Sequence, residues 1–344
     1  MTIDLTPYLG AVPETVIERL RGAHRVLAVG HENPDADTLG ATLAIVAIIE
    51  SLGGRADPVC TDPPPPLYDF LPGIERFRTD PDPAADYDLL VVSDCGTLDR
   101  IGEVGRRHAN VFGRLPRVVI DHHASNSATD MADWIDADAA ATCEMVTLLA
   151  LRLGIGLDGD IGHRVATALM AGIVMDTATF AHPNATPRTL AVAAALVAAG
   201  APLSDISRRL YRSKPEAQLR LYGRVLARIR SSDDGRVVWS TLDDEDLTAT
   251  GTSPAQSEGI IDLLSQADEA EVSILFKEAG ATTRLSVRTK PGGVDATVLT
   301  GAFGGGGHAR AAGATVDGRL SVAVPQVLAV AERLAADVQR SDPV

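Results

Sequence analysis

The sequence predicts an α/β protein in which a parallel-sheet N-terminal domain is joined by helices to a smaller α/β domain. Short apolar runs alternate with helical patterns through the first half of the 344-residue chain, which is typical of a parallel sheet covered on both faces. After Ser231 the pattern changes to strands that are apolar on one side only. The length is sufficient for two domains of roughly 150 residues each.

The first half of the chain supplies the strands of the predicted parallel sheet. Nearly every position in these runs is apolar, which is typical of strands buried on both faces; they are Arg25–Gly30, Asp88–Ser93 and Arg117–Ile120. Helices are predicted between the strands, at Leu39–Leu52 and about Thr97–Arg107. Ligands bind beyond the carboxyl ends of the strands in such sheets, so the chemistry is expected at that edge.

Two helices are predicted to join the domains, at Pro187–Gly200 and Pro202–Arg230, and the basic face of the second is expected to be solvated. The predicted domains are therefore residues 1–186 and 232–344, with residues 187–231 as a helical connector. The elements predicted after the connector are strands at Val237–Leu242, Glu271–Glu278 and Thr282–Lys290, helices at Val294–Ala302 and about Val324–Gln339, and between these helices a glycine loop followed by a short helical stretch of small residues.

The charge of the chain restricts its partners. It has 31 lysines and arginines against 46 aspartates and glutamates, which is a formal net charge of −15. Long nucleic acid is held by rows of basic residues that release counterions, and a base-stacking channel needs more aromatic residues than the 4% present here. Any nucleic acid that binds is therefore expected to be short and held in a local pocket.

Cysteine usage and hydropathy favour the cytoplasm. Cys60, Cys95 and Cys143 are far apart and lack the spacing of a disulfide framework or a thiolate zinc site. The N-terminus shows no basic segment followed by an apolar one, and no apolar stretch reaches the roughly 20 residues of a membrane-spanning helix. We therefore expect a cytoplasmic protein without a membrane partner.

A group of ionisable residues follows the first predicted strand. His31, Asp35 and Asp37 share one loop, because Pro34 disfavours a helix at Asn33. An aspartate at this place commonly caps a helix, and either aspartate has that alternative role. Two carboxylates and an imidazole after a buried strand favour metal binding instead, with Asp35 and Asp37 facing different ions.

The next two predicted strands end in the same kinds of residue. Asp94 follows one strand, and Asp121, His122 and His123 follow the other. Asp94 has the alternative role of a turn former, and one of the two adjacent histidines has that of a neutral hydrogen-bonding residue. Because these strands end at one edge of the predicted sheet, their side chains are expected to meet His31.

Asp176 ends a further apolar run, Val165–Met175. A negative charge at the C-terminus of a helix is unfavourable, and a nearby cation would remove that conflict. The alternative is an exposed aspartate in a loop. Asp176 is therefore included among the candidate metal ligands.

The candidate metal ligands are four carboxylates and two imidazoles without a thiolate: His31, Asp35, Asp37, Asp94, His122 and Asp176. Oxygen-rich sites of this kind suit Mn²⁺ or Mg²⁺, with Zn²⁺ or Co²⁺ as substitutes. Six ligands with one shared carboxylate suffice for two ions about 3.5–4 Å apart, which activate a water and clamp a phosphoryl group. The sequence therefore predicts hydrolysis of phosphorus–oxygen bonds.

The second domain offers a candidate anion site at its glycine run, Gly304–Gly307. Backbone without Cβ atoms can approach an anion and direct N–H groups at it, and His308 and Arg310 follow directly. Such a run is usually a flexible linker, but the basic residues after it favour a binding loop. Arg288, on the preceding strand, is either a bidentate phosphate ligand or an exposed strand charge.

These motifs resemble the DHH phosphoesterase superfamily over nearly the whole chain, and within it the nano-RNase/pAp phosphatase group. The motifs that carry the resemblance are His31-x-x-Pro34-Asp35-x-Asp37-x-x-Gly40, Asp94, Asp121-His122-His123-Ala124-Ser125-Asn126 and Gly172-Ile173-x-x-Asp176-Thr177. Those that resemble the DHH-associated domain are Gly304–His308 and Ala311-Ala312-Gly313. The identification is specific because four separated motifs occur in the family's order.

The resemblance implies a site with two Mn²⁺ ions. The implied ligands are His31, Asp35 and Asp94 for one ion, and Asp37, Asp94, His122 and Asp176 for the other. Asp94 would bridge the ions, His123 would face the phosphate, and Asp121 would orient the histidines. The candidate substrate-binding residues, around a nucleotide between the domains, are Asn126, Arg288, Gly305, Gly306, Gly307, His308 and Arg310.

Members of this group typically cut RNA of a few nucleotides to mononucleotides, remove the 3′-phosphate of pAp and in some cases hydrolyse cyclic di-AMP or its linear product pApA. They are commonly homodimers. The resemblance therefore implies a Mn²⁺-dependent phosphoesterase of short oligonucleotides and pAp. The alternatives are an inorganic pyrophosphatase or polyphosphatase, and a nucleotide-binding sensor without catalysis, which the complete ligand set disfavours.

The chain departs from the family's usual residues at a few positions. Ala41, Met175, Ala178 and Thr289 stand where serine, threonine, glycine and serine are common. None of them is an implied metal ligand, so these departures bear on substrate preference more than on activity.

Overall fold

The computed structural model of this chain describes residues 3–126, 130 and 132–341, except the side chains of residues 160, 161, 308 and 339–341. The chain divides into two units, Met1–Ser213 and Lys214–Val344. In the described residues, each unit has a β-sheet with apolar side chains packed on both of its faces. The α/β fold class predicted from the sequence is confirmed.

The sheet of the first unit is parallel throughout its described strands. They are β1 (Arg25–Val29), β2 (Arg55–Val59), β3 (Leu89–Ser93), β4 (Arg117–Asp121) and β5 (Trp134–Ile135), in the order β2-β1-β3-β4-β5. The three predicted strands are confirmed, whereas β2 and β5 were not predicted. Pro58 lies within β2 at the edge of the sheet, the position where a residue without an N–H group is tolerated.

Helices cover both faces of this sheet. They are α1 (Glu14–Gly22), α2 (Ala36–Ser51), α3 (Glu103–Arg107), α4 (Ala109–Phe112), α5 (Thr142–Arg152), α6 (Gly159–Asp176), α7 (Pro187–Ala198) and α8 (Leu203–Tyr211). The shorter 3₁₀ segments are Thr6–Ala11, Pro66–Tyr68, Ile74–Arg76 and Leu98–Ile101. The single helix predicted at 97–107 is wrong, because Gly102 adopts a φ of 78° and separates a 3₁₀ segment from α3.

The order of the strands identifies where a ligand is expected. From β1 the chain continues to β2 on one side, and then returns to form β3 on the other side of β1. Open parallel sheets bind ligands at such a reversal, outside the carboxyl ends of the strands. His31 follows β1 and Asp94 follows β3, so both lie at this point.

The second unit contains a mixed sheet, described within residues 214–341. Its elements are α9 (Glu216–Leu226), β6 (Arg230–Ser231), β7 (Val237–Leu242), α10 (Asp244–Thr250), α11 (Ile260–Leu264), β8 (Val272–Ala279), β9 (Thr282–Thr289), α12 (Ala296–Gly301), β10 (Gly306–His308), β11 (Ala311–Asp317) and α13 (Leu320–Ser341), with a 3₁₀ segment at Pro254–Ser257. The strand order is β10-β11-β9-β8-β7-β6. Only β7 and β8 pair in parallel.

The small residues after the glycine run were predicted to be helical, and this prediction is wrong. They form β11, in which Gly313 pairs with Ser286 of β9. Glycine permits the close pairing of β10 with β11, since a Cβ atom on Gly305 would lie 2.2 Å from the carbonyl oxygen of Gly313. Gly307 has a φ of 145°, which side chains disfavour. The glycine run is therefore part of a β-hairpin.

The predicted helix at 202–230 is also wrong, because it is interrupted. Pro215 precedes α9, and the residue before a proline is biased away from the helical region. Helices α7 and α8 bury Val192 and Ile206 in the core of the first unit, whereas α9 buries Leu221 and Val225 in the second unit. The division into residues 1–186, 187–231 and 232–344 stays a prediction.

No single helix among the described residues combines the length and apolarity needed to cross a membrane. Helices α7 and α8 meet those requirements only as a pair that is bent by 112°.

Candidate metal centre

His31 and Asp94 meet at the reversal of the sheet. Nε2 of His31 lies 3.6 Å from Oδ2 of Asp94 and 4.0 Å from Oδ2 of Asp35. The other ring nitrogen, Nδ1, is 2.6 Å from the carbonyl oxygen of Glu32. A hydrogen bond on Nδ1 fixes the tautomer in which Nε2 is free to bind a metal. Nε2 is the atom that faces the two carboxylates.

Asp35 caps a helix with one carboxylate oxygen and directs the other toward His31. Its Oδ1 accepts hydrogen bonds from the backbone N–H groups of Asp37 and Thr38 at 2.9 and 3.1 Å, which caps α2. Its Oδ2 is the oxygen that faces His31. The cap fixes the carboxylate, so capping and metal binding are compatible here.

Asp37 is fully buried and is held by the N-terminus of another helix. Its two carboxylate oxygens accept the N–H groups of Thr142 at 2.7 Å and Cys143 at 2.9 Å, in the first turn of α5. Helix α6 approaches closely at Gly172, where a Cβ atom would lie 2.5 Å from Oδ1 of Asp37. Gly172 precedes Asp176 by one helical turn, so its lack of a side chain lets the two carboxylates share one site.

Asp94 directs one oxygen to each side of the site. Oδ2 accepts a hydrogen bond from Thr38 Oγ1 at 2.6 Å, and Oδ1 accepts one from Thr142 Oγ1 at 3.3 Å. Oδ1 is also 3.6 Å from Nε2 of His122, as Oδ2 is from His31. The backbone of Asp94 has a φ of 58°, a left-handed conformation that aspartate tolerates better than most residues. This arrangement allows the carboxylate to be shared between two ions.

His122 faces three carboxylates. Its Nε2 lies 3.1 Å from Oδ2 of Asp176, 3.6 Å from Asp94 and 4.0 Å from Asp37. Its Nδ1 faces the carbonyl oxygen of Ala139 at 3.3 Å. Asp176 is the last residue of α6, so a carboxylate does lie at a helix C-terminus, and the imidazole faces it.

His123 is held by a separate carboxylate. Its Nδ1 lies 2.8 Å from Oδ1 of Asp121, which is fully buried. Nδ2 of Asn126 donates to Oδ2 of Asp121 at 2.7 Å and to the carbonyl oxygen of Cys95 at 3.0 Å. Nδ1 of His123 is also 3.6 Å from Asp94, so its ring borders the candidate ligands.

The pKa values of these groups reflect several buried carboxylates at close range. Burial and the negative charges of Asp176 and Asp94 raise the pKa of Asp37 well above its usual value. Burial raises the pKa of Asp176 to about 6, although its hydrogen bond with His122 acts in the opposite direction. Burial disfavours the charged imidazole of His122, but the same bond and the neighbouring carboxylates raise its pKa to about 10.

The donor set fits a pair of divalent cations. There are three groups in each of which the ligand atoms lie within 4.8 Å of one another: His31 with Asp35 and Asp94, Asp37 with His122 and Asp176, and Asp94 with His122 and His123. In the described part of the chain, the cationic partners paired with the four aspartates are histidines, not lysines or arginines. Carboxylate oxygens with a few imidazoles suit hard divalent ions such as Mn²⁺ or Mg²⁺.

The candidate substrate residues of the second unit lie around the β9–β11 pairing. Arg288 pairs in register with Ala311, and its Nε donates to Asp262 at 3.0 Å. Nη1 of Arg310 donates to the carbonyl oxygens of Lys290 and Val294 at 2.7 and 3.2 Å, so it holds the turn after β9. Gly305 precedes β10, to which Gly306 and Gly307 belong, and the side chain of His308 lies outside the described residues. Their role in substrate binding stays a prediction.

Several residues of the site were not predicted from the sequence. Thr38 and Thr142 donate to Asp94, and Asn184 donates through Nδ2 to the carbonyl oxygens of Asp176 and Ala140 at 3.2 and 3.1 Å. Thr38 could have been found from the sequence, because it directly follows the candidate ligand Asp37. Thr142 and Asn184 had no local signal, because their partners are distant in the sequence.

Comparison with known proteins supports the resemblance seen in the motifs. Residues 25–173 match the model for the DHH family, N-terminal domain, and residues 234–337 match that for the DHHA1 domain. The chain is 31% identical to a bifunctional oligoribonuclease and PAP phosphatase NrnA from Thermus thermophilus, over 84% of this chain and 83% of that protein. It is 25% identical to a protein of the same name from Bacillus subtilis, over 83% and 87% of the two chains.

The fold has a close counterpart among solved structures. An exopolyphosphatase-related protein from Bacteroides fragilis matches with a TM-score of 0.86 at 22% identity, covering 95% of this chain and 98% of that one. At this identity the likeness concerns the fold alone. The two domain matches and the relative from Thermus thermophilus show that this chain belongs to the DHH family, with a DHHA1 domain after its DHH domain.

Proposed function

We propose that this protein is a Mn²⁺-dependent phosphoesterase that cuts short oligoribonucleotides to mononucleotides and converts pAp to AMP. Membership of the DHH family makes it a hydrolase acting on phosphate ester bonds. The observation that carries the proposal is the convergence of four aspartates and three histidines, among which Asp94 faces both His31 and His122. The names of the relatives support short RNA and pAp as substrates.

Two metal ions are proposed, each held by one group of ligands. His31 and Asp35 would hold one ion, Asp37, His122 and Asp176 would hold the other, and Asp94 would be shared. Ions at such a site lower the pKa of a bound water and stabilise the charge on a phosphoryl group. Carboxylates favour Mn²⁺ and Mg²⁺ while imidazoles favour later transition metals, so the mixed set favours Mn²⁺, with Mg²⁺ or Co²⁺ as substitutes.

His123 is proposed as the residue that faces the phosphate. Asp121 accepts from Nδ1 of the ring at 2.8 Å, which leaves Nε2 to face a substrate oxygen. Asn126 fixes the other oxygen of Asp121 and so keeps the carboxylate from rotating. Asp121 is therefore proposed to act through His123, and Asp94 to act through the ions.

The second unit is proposed to bind the nucleotide. The ion pair between Arg288 and Asp262 is partly exposed, with 34% and 58% of the side chains accessible, and exposed pairs contribute little stability. Arg288 can therefore exchange Asp262 for a phosphate group at small cost. The formal charge of −15 favours short substrates over long nucleic acid. Residues 305–308, Arg310 and, in the first unit, Asn126 complete the proposed substrate set.

The experiment that tests this function is a comparison of substrates. Protein freed of metal with a chelator is supplied with Mn²⁺ and incubated separately with pApA, a short RNA, pAp and pyrophosphate, and the products are separated by chromatography. AMP from pApA and from pAp supports the proposal, and the chelated protein without added metal is the control. Turnover of pyrophosphate alone would favour the pyrophosphatase alternative, and binding of pAp without turnover would favour the sensor.

Three finer features belong to the same proposal. Cyclic di-AMP is proposed as an additional substrate and is tested by including it in the comparison. A homodimer is proposed as the assembled state, which the molar mass in solution by light scattering tests. The cytoplasm is proposed as the location, which fractionation of source cells tests.

A further inference from the structure

The segment that enters α5, Asp136–Cys143, contacts three of the candidate metal ligands. Its N–H groups at Thr142 and Cys143 bind the carboxylate of Asp37. The hydroxyl group of Thr142 donates to Asp94. The carbonyl oxygen of Ala139, in the same segment, faces Nδ1 of His122. The position of this entry segment therefore determines the orientation of several ligands at once.

Arg188 holds the entry segment against α7. Its Nε donates to Oε1 of Glu144 at 2.5 Å, and its Nη1 donates to Oδ2 of Asp136 at 2.9 Å. Glu144 is fully buried, and its second oxygen accepts the N–H group of Ala140 at 3.2 Å. The guanidinium therefore contacts the segment directly at its first residue, Asp136, and through Glu144 at Ala140.

Asn184 links the entry segment to the C-terminus of α6. Its Nδ2 donates to the carbonyl oxygens of Ala140 and of Asp176, which is itself a candidate ligand. Asn184 lies just before α7, whose first turn is fixed by Pro187 and a capping box between Thr186 and Thr189. Helix α7 and the residues just before it thus carry a guanidinium and an amide that reach the same short segment.

We propose that Arg188 and Asn184 are positioning residues for the metal centre, an inference that rests on the proposed function. They would act through the entry segment and through Asp176, and neither belongs to the three groups of candidate ligand atoms. Replacing both partners of a buried ion pair such as Arg188 with Glu144 by apolar residues is often neutral for stability, whereas removing one partner leaves a buried unpaired charge and is destabilising. The pair holds the hydrogen-bond partners of Asp37, Asp94 and His122 in one arrangement.

The test measures metal binding and does not depend on turnover. Mn²⁺ affinity is determined by electron paramagnetic resonance of free Mn²⁺ for the full-length wild-type protein and the variants Arg188→Met and Asn184→Asp. Residues that orient metal ligands typically change metal affinity by about 10- to 100-fold when altered. We expect a loss of this size in both variants. Arg188→Lys, which keeps the charge but can reach only one of the two carboxylates, is expected to be intermediate.

The matched control is Arg117→Met. Arg117 also pairs with a buried aspartate, Asp133, but it begins β4, at the opposite end of that strand from His122. Arg117→Met is expected to lower the unfolding temperature and to leave Mn²⁺ affinity unchanged. Wild-type affinity in both Arg188→Met and Asn184→Asp, or an equal loss in Arg117→Met, would overturn the inference and leave the proposed function standing. Failure of the wild-type protein to bind Mn²⁺ would overturn both.

Discussion

Nε2 of His122 lies 3.1 Å from Oδ2 of Asp176, so a ring that follows β4 meets the carboxylate that ends α6. A carboxylate at this position faces the negative end of the helix dipole, and the imidazole supplies the opposing charge. The pKa of His122 is raised to about 10 and that of Asp176 to about 6. Because metal ligands must lose their protons to bind, metal binding by these two groups would depend on pH.

The first prediction concerns the pH dependence of stability. In the metal-free protein both folded pKa values exceed the ordinary values of 6.5 and 3.8. The stability that these groups contribute at low pH is therefore lost as the pH rises, through about 4 to 6 for Asp176 and about 6.5 to 10 for His122. Mn²⁺ displaces the protons, so its stabilisation should increase with pH over the same range.

This prediction is measured by thermal unfolding with and without Mn²⁺. The gain in unfolding temperature should be larger at about pH 7.5 than at about pH 5.5, and a chelator should abolish it at both. Equal gains at the two pH values would contradict the assignment of His122 and Asp176 as ligands.

Asp94→Asn should remove nearly all hydrolysis. The amide keeps the size of the carboxylate but loses the negative charge and one of the two acceptor oxygens that face His31 and His122. We expect kcat for pApA to fall by about 10³-fold or more, the scale seen when a member of a catalytic unit is removed. Wild-type kcat in this variant would eliminate the shared-ligand assignment.

The matched control is Asp88→Asn. Asp88 accepts hydrogen bonds from the backbone N–H groups of His24 and Arg25. These residues lie at the start of β1, which is the other end of the strand from the candidate site. This variant should retain the kcat of the wild-type protein.

Asp121→Asn should reduce turnover more than metal affinity. Asp121 contacts Nδ1 of His123 and the amide of Asn126, and it belongs to none of the three groups of ligand atoms. We expect kcat to fall by about 10- to 100-fold, as for other residues that orient a functional histidine. Mn²⁺ titration of the same preparation separates the two effects. A large loss of Mn²⁺ affinity at unchanged kcat would refute the proposed role of His123.

Gly172→Ala should disturb both stability and metal binding. The added methyl group would lie 2.4 Å from Sγ of Cys143 and 2.5 Å from Oδ1 of Asp37. Overpacking of this kind costs typically about 1–3 kcal/mol, and displacement of Asp37 should weaken Mn²⁺ binding. Chemical denaturation and Mn²⁺ titration measure the two effects. Gly223→Ala, in α9 with no atom within 4 Å of the added group, should instead stabilise the protein by up to about 1 kcal/mol.

Ala178→Gly should stabilise the protein. Ala178, Thr179 and Phe180 follow Asp176 with φ values of 46°, 60° and 64°, a left-handed conformation that costs a residue with a side chain about 1–2 kcal/mol. Glycine at position 178 removes most of that cost. Denaturant unfolding should show a gain of about 1 kcal/mol, whereas Ala191→Gly within α7 should show a loss of about 0.5–1 kcal/mol. A loss at both positions would exclude strain at Ala178.

The sequence by itself determined the candidate metal ligands of this protein and the edge of the sheet where they lie. Apolar runs that end in His31, Asp94 and His122 are local signals, since a strand buried on both faces has polar residues only where it ends. The charge balance and the motifs around these residues were equally readable without a structure. The break at Pro215 was also local, and the prediction of one helix there overlooked the restriction that a proline imposes.

Only the tertiary structure decided how these residues are held. The contacts of Asp37 with the first turn of α5, the hydroxyl groups on Asp94, and the reach of Arg188 and Asn184 all join residues that are distant in the sequence. The small residues at 311–313 are compatible with helix or strand, and pairing with β9 selected the strand. Local patterns report which face of an element is apolar, but the choice of its partner depends on the free energy of packing the whole chain.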